Sequence, residues 1–206
     1  MTLARRGLIA VPDAAAAALI LWIWAYPLAW RPGLVGVVVL ALLMEFVVIQ
    51  AGPFLGRIVY GDRMRLTPRE RRRSALALGA VYVTFAGLAA GSFGRWFPFF
   101  LFAWLFGAKV YAALLGRRPD ATGREREMSY WVLSNVLYLA VVFAAMFVPV
   151  PMLGVTEEGS FYGLRGRYEW ANYPHEALAA GFVYFAAMAL IRFLDLRMGV
   201  ELSAGE

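Results

Sequence analysis

The stretch "LLMEFVVIQAGPFLG", residues 42–56, is apolar except for Gln50 and one carboxylate, Glu45. Upstream it continues without a charge to Gly33, so 24 residues carry a single ionisable side chain. About 20 predominantly apolar residues cover the hydrocarbon core of a bilayer as a helix. The stretch is therefore read as a membrane span, and its acid as an expensive choice that needs a partner or a purpose.

The rest of the chain repeats the pattern. Of its 206 residues 62% are hydrophobic and only 17% are charged, against about half and about a quarter in soluble domains. Uncharged runs occupy 14–30, 74–94 and 128–156. The expected fold is an all-α integral membrane bundle of about six helices forming one polytopic domain over 1–206. Its spans are placed at about 10–30, 33–56, 74–94, 96–116, 129–150 and 175–195, with an outer loop at 151–174. Pro12 and Asp13 suit the first turn of the first helix, where the helix dipole favours an anion. The basic, apolar N-terminus is read as an uncleaved first span rather than a secretory leader.

Charge fixes the expected orientation. Fifteen of the 20 cationic residues fall in the N-terminal, second, fourth and C-terminal connecting segments, and four fall in the others. Positive charge is retained on the cytoplasmic side, so both termini are expected there, in a bacterial-type inner membrane. The net charge of +6 thus serves topology, and no nucleic-acid partner is implied. The partner expected is the lipid bilayer, with Arg69, Arg71, Arg72 and Arg73 placed to meet anionic headgroups.

Candidate chemistry lies inside the spans. On a helix, Glu45 shares a stripe with Ala41, Gly52 and Gly56, small residues that admit a close neighbour. Lys109, the one lysine, lies about 20 Å from the outer boundary and Glu45 about 18 Å, counted at 1.5 Å per residue. Equal depth and opposite sign suggest an ion pair. Asn135 and Tyr138, one turn apart on the fifth span, complete a possible polar cluster of Glu45, Lys109, Asn135 and Tyr138. In the outer segment, His175 and Glu176 are secondary candidates beside Glu157, Glu158 and Glu169. Arg192 and Asp195, three residues apart, read as a surface pair.

Cysteine is absent and His175 is the only histidine, which excludes disulfides, thiolate chemistry and a bis-histidine haem within one chain. No nucleophile elbow, zinc helix or phosphate loop occurs, so no catalytic residue, cofactor or metal site is assigned. Three function classes follow. The first is a small transporter or proton-coupled permease titrating at Glu45. The second is a scaffold or accessory subunit whose polar cluster fixes helix packing. The third and weakest is a lipid-modifying enzyme using His175 and the outer acids.

Overall fold

The computed structural model describes residues 3–29, 31–60, 67–92, 96, 99, 100, 103, 121–164 and 169–196. Its elements are α1 (Leu3–Ala25), α2 (Gly33–Tyr60), α3 (Pro68–Ser92), α4 (Ala121–Phe147), the short α5 (Glu169–Asn172) and α6 (Pro174–Leu194). Three stretches are long and apolar enough to cross a membrane, Arg6–Ala25, Met128–Phe147 and Pro174–Leu194, and Gly33–Phe46 adds a shorter apolar length of α2. Among the described residues every regular element is a helix. The expected span at 96–116, with Lys109 in it, lies almost wholly outside the described residues.

The first helix departs from its expected start. It begins at Leu3, so Pro12 is inside it and not in its first turn. Residues 3–11, "LARRGLIAV", hold no proline, and Pro12, exposed on the helix surface, costs α1 one amide hydrogen bond without ending it. Asp13 is therefore in the body of α1, buried, and not at a helix start. α3 likewise begins earlier than expected, at Pro68, because Thr67 and Glu70 cap it. The Glu70 carboxylate accepts from the Thr67 amide at 2.7 Å and from its hydroxyl at 2.8 Å, while the Glu70 amide donates to the Thr67 hydroxyl oxygen at 3.3 Å. This reciprocal bonding satisfies donors that a helix start leaves without intrahelical partners.

We call the end where α1 begins and α6 ends the base, and the opposite end the cap. The first and last helices form the most extensive contact of the fold, while α2 meets α3, α4 and α6, and α4 lies along α6. The buried positions of α1 explain its pairing. Ala10, Asp13, Ala17, Ile20 and Trp24 recur every three or four residues, the seam of one helix face. On α6, Leu178 and Ala179 pack in one cluster with Ile20, Ile23 and Trp24 of α1, while the buried stripe Ala177, Ala180, Gly181 and Tyr184 lines a seam with Leu42 of α2 and Tyr138 and Val142 of α4. Small side chains in such a seam allow close approach, the main source of helix association where lipid is as apolar as leucine. Gly181 shows how close: a Cβ there would come to 2.6 Å from the Leu42 side chain of α2. The opposite faces carry exposed Leu19 and Trp22 on α1, Val136, Leu139 and Phe143 on α4, and Val183 and Leu190 on α6. Large apolar belts of this kind are rare on soluble monomers and match a lipid surround.

Residues 148–164 and α5 close the cap end. A loop lying wholly on the bilayer surface is the plainer expectation for this segment, yet its centre is built into the bundle. Val155 and Tyr162 are each 1% exposed and Leu164 4%, packed with Ile20, Trp24, Val35, Val39 and Leu178 in one core cluster. The Gly154 amide donates to the Trp24 carbonyl at 3.1 Å. Three glycines permit this fit: a Cβ would strike the Ala25 carbonyl from Gly154, the Ala171 carbonyl from Gly159 and the Tyr162 carbonyl from Gly36. Met152, Leu153 and Phe161 remain on the outside.

Candidate functional site in the bundle interior

Counting along each helix places its polar groups by depth. Glu45 is about 18 Å from the cap end of α2, Tyr138 about 14 Å from that of α4, and Tyr184 about 15 Å from that of α6. In a helix the Cα–Cβ bond tilts toward the N-terminus. α2 starts at the cap and α4 at the base, so Glu45 leans up and Tyr138 leans down. The two accordingly converge. Glu45 lies within electrostatic reach of the hydroxyls of both Tyr138 and Tyr184.

The tyrosines form the centre of the site. Their rings meet edge to face with centroids 5.4 Å apart, and Phe46 stacks on Tyr138 at 5.4 Å. The Tyr138 hydroxyl donates to the Leu42 carbonyl at 3.0 Å, one turn above Glu45, and so ties α4 to α2. Ser134 of α4 lies close to the Tyr184 hydroxyl, and its own hydroxyl donates to the Trp131 carbonyl at 3.0 Å. Ile49 and Met188 fill the remaining space. Above the pair, toward Trp170 and Val142, is a cavity of about 10 Å³, room for about one water molecule.

Of the expected cluster, the structure brings Glu45 and Tyr138 together. Asn135 is on α4 one turn from Tyr138, and its amide nitrogen donates to its own helix, at the Trp131 carbonyl, 2.9 Å away. Lys109 lies outside the described residues. His175 and Glu176 sit in the first turn of α6, at the cap end, away from this cluster. His175 is buried at 8% exposure, its ring nearly perpendicular to that of Tyr173 with centroids 6.1 Å apart. Among the described residues no group of three or more acidic and histidine side chains is placed to hold a metal ion.

The sequence reading missed a second polar group nearer the base. The Arg192 guanidinium of α6 meets the Asp13 carboxylate of α1 at 2.7 Å, with 32% and 10% of the side chains exposed. Arg192 and Asp195 are thus more than a surface pair. Asp195 caps α6 in the left-handed conformation, φ 54°, and its carboxylate accepts from the Tyr130 hydroxyl at 3.1 Å and faces Arg6 at 3.9 Å. The same backbone tilt explains the Asp13–Arg192 pair: Asp13 leans toward the base and Arg192 away from it, so the side chains meet between their helices. Asp13 and Arg192 also lie within electrostatic reach of Tyr184. Polar groups thus succeed one another from Asp13 and Arg192 past Tyr184 to Tyr138 and Glu45, a tract of electrostatic neighbours and not a chain of hydrogen bonds. The clue in the sequence was Asp13 on the Ala10–Ala17–Ile20–Trp24 seam, hidden once the helix start was placed at Pro12.

No family model, curated protein or solved structure matches the chain.

Proposed function

We propose that the chain is a small proton-coupled permease of a bacterial-type inner membrane, with both termini cytoplasmic and Glu45 as its titrating group. The observation that carries this reading is the position of Glu45, about 18 Å along α2 and within electrostatic reach of the hydroxyls of two buried tyrosines. Ionisable side chains at membrane depth are costly and mark ion or proton pathways where they recur. Tyrosine hydroxyls both donate and accept, so the tract has the groups a proton needs. Lys109 is the partner proposed for Glu45 from the depth count.

Proteoliposomes loaded with a pH-sensitive dye and given an inward proton gradient test this. The parent protein acidifies the lumen and Glu45→Gln, equally folded and inserted, does so at the protein-free rate. Unchanged proton uptake in Glu45→Gln removes Glu45 from the mechanism.

A scaffold or accessory subunit is the second reading, favoured by the cross-helix bond from Tyr138 to the Leu42 carbonyl, which suits a fixed lock. It predicts no proton flux in the parent, a lower melting temperature in Glu45→Gln and a co-purifying partner.

A further inference from the structure

We propose that Arg6, Asp13, Tyr130, Arg192 and Asp195 form a latch that closes the base of the bundle beneath the tyrosine pair. The inference rests on the permease reading, to which it adds the closure on the side of the termini.

The geometry has three parts. First, the latch joins three helices near the base: α1 through Arg6 and Asp13, α4 through Tyr130, and α6 through Arg192 and Asp195. Second, it lies in the path. Met188, one turn above Arg192 on α6, is 1% exposed and packs with Tyr138 and Tyr184, so the Asp13–Arg192 pair lies on the base side of the tyrosine pair. Third, every tie is polar and reversible. The Arg6–Asp195 contact is long at 3.9 Å, and Arg192 remains about one third exposed at 32%, so water reaches the network from the base. Helices held by apolar seams alone would have no side chain that exchanges partners, whereas here two cations and two carboxylates share one short interval of α1 and α6. The group facing Arg192 is the Asp13 carboxylate of α1, and both lie within electrostatic reach of Tyr184, two turns up α6, as does Glu45 of α2. Parting Asp13 from Arg192 opens the seam at its narrowest charged point and admits water to Met188.

The absence of native cysteine makes the test direct. Met188→Cys reports on water behind the latch through its rate of labelling by a membrane-impermeant maleimide in purified protein. In the parent background labelling is slow. Asp13→Asn and Arg192→Gln each raise the rate at least tenfold. The exchanged pair, Asp13→Arg with Arg192→Asp, keeps both charges and returns the rate to within about threefold of the parent. Gly36→Ala, which strains the cap instead, leaves it slow. Unchanged labelling in the single variants overturns the latch. So does equal acceleration by Gly36→Ala, because loss of stability alone would then account for the access, and so does a folded exchanged pair that labels as fast as the single variants. Glu45→Gln in the Met188→Cys background labels slowly, so a failure of the permease reading appears in proton flux and a failure of the latch in labelling.

Discussion

Tyr138 is the residue on which the interior turns, because its hydroxyl is spent on a backbone carbonyl of another helix. Side-chain hydrogen bonds between membrane helices are worth about 0.6 kcal/mol on average and up to about 2 kcal/mol. Tyr138→Phe keeps the ring and removes the bond, so a loss of that order is expected, read as a small fall in melting temperature in detergent. A variant as stable as the parent would assign the α2–α4 contact to ring packing alone. Gly154 tests a different residue-scale limit. A Cβ there meets the Ala25 carbonyl, which belongs to the helix end that Gly154 must approach to donate to Trp24. Overpacking of this kind costs about 1–3 kcal/mol, so Gly154→Ala is expected to lower the melting temperature clearly more than Tyr138→Phe does. The similar depth of Glu45 and Tyr138 was legible, since position along a helix converts to distance at a fixed rise, but that α2 and α4 are neighbours was not. The Asp13–Arg192 pair was not, because pairing depends on which helices are neighbours, and the first and last helices of a chain share no local signal.

At the scale of the element, α3 shows how a short polar motif sets a boundary that hydropathy misses. The apolar run begins at about Ser74, but the helix begins six residues earlier because "TPRE", residues 67–70, closes a reciprocal cap. Thr, a residue suited to N1 and an acid three positions on are the signature of such a cap, set within a run of arginines that hydropathy reads as loop. The hydrogen bonds from the Thr67 amide and hydroxyl hold the Glu70 carboxyl below its ordinary value. A depressed folded value means that the cap is fully present above the unfolded value of about 4.3 and is lost as pH falls through the folded one. Amide-exchange protection at Thr67, corrected for the intrinsic rate, should therefore hold at neutral pH and fade in acid below that value. Glu70→Gln removes this acid dependence. Protection that persists unchanged well below pH 3 would mean that the carboxylate contributes nothing to the start of α3.

For the whole molecule, hydropathy made helices long and apolar enough to cross a membrane legible, because a backbone in lipid satisfies its polar groups only within helices or closed barrels and runs of about 20 apolar residues suit the helix. The packed cap was less legible. Aromatics near a span end suit the headgroup zone as well as a core, and only the close approaches at Gly36, Gly154 and Gly159 separate the two. The number of crossings remains an arithmetic question that the fold poses sharply. Thr67 precedes α3 and Thr156 follows α4, both residues are exposed, and the reading of 96–116 as a span places three crossings between them. Three crossings put the two residues on opposite sides of the membrane, and two put them on the same side. Single cysteines at the two positions settle it in the otherwise cysteine-free chain. Thr156→Cys is expected to react with an impermeant maleimide on intact cells, and Thr67→Cys only after the membrane is opened. Reaction of both on intact cells would remove the fourth crossing. Reaction of Thr67→Cys alone would keep the six spans but invert them, against the weight of the fifteen cationic residues that the positive-inside rule places in the cytoplasm.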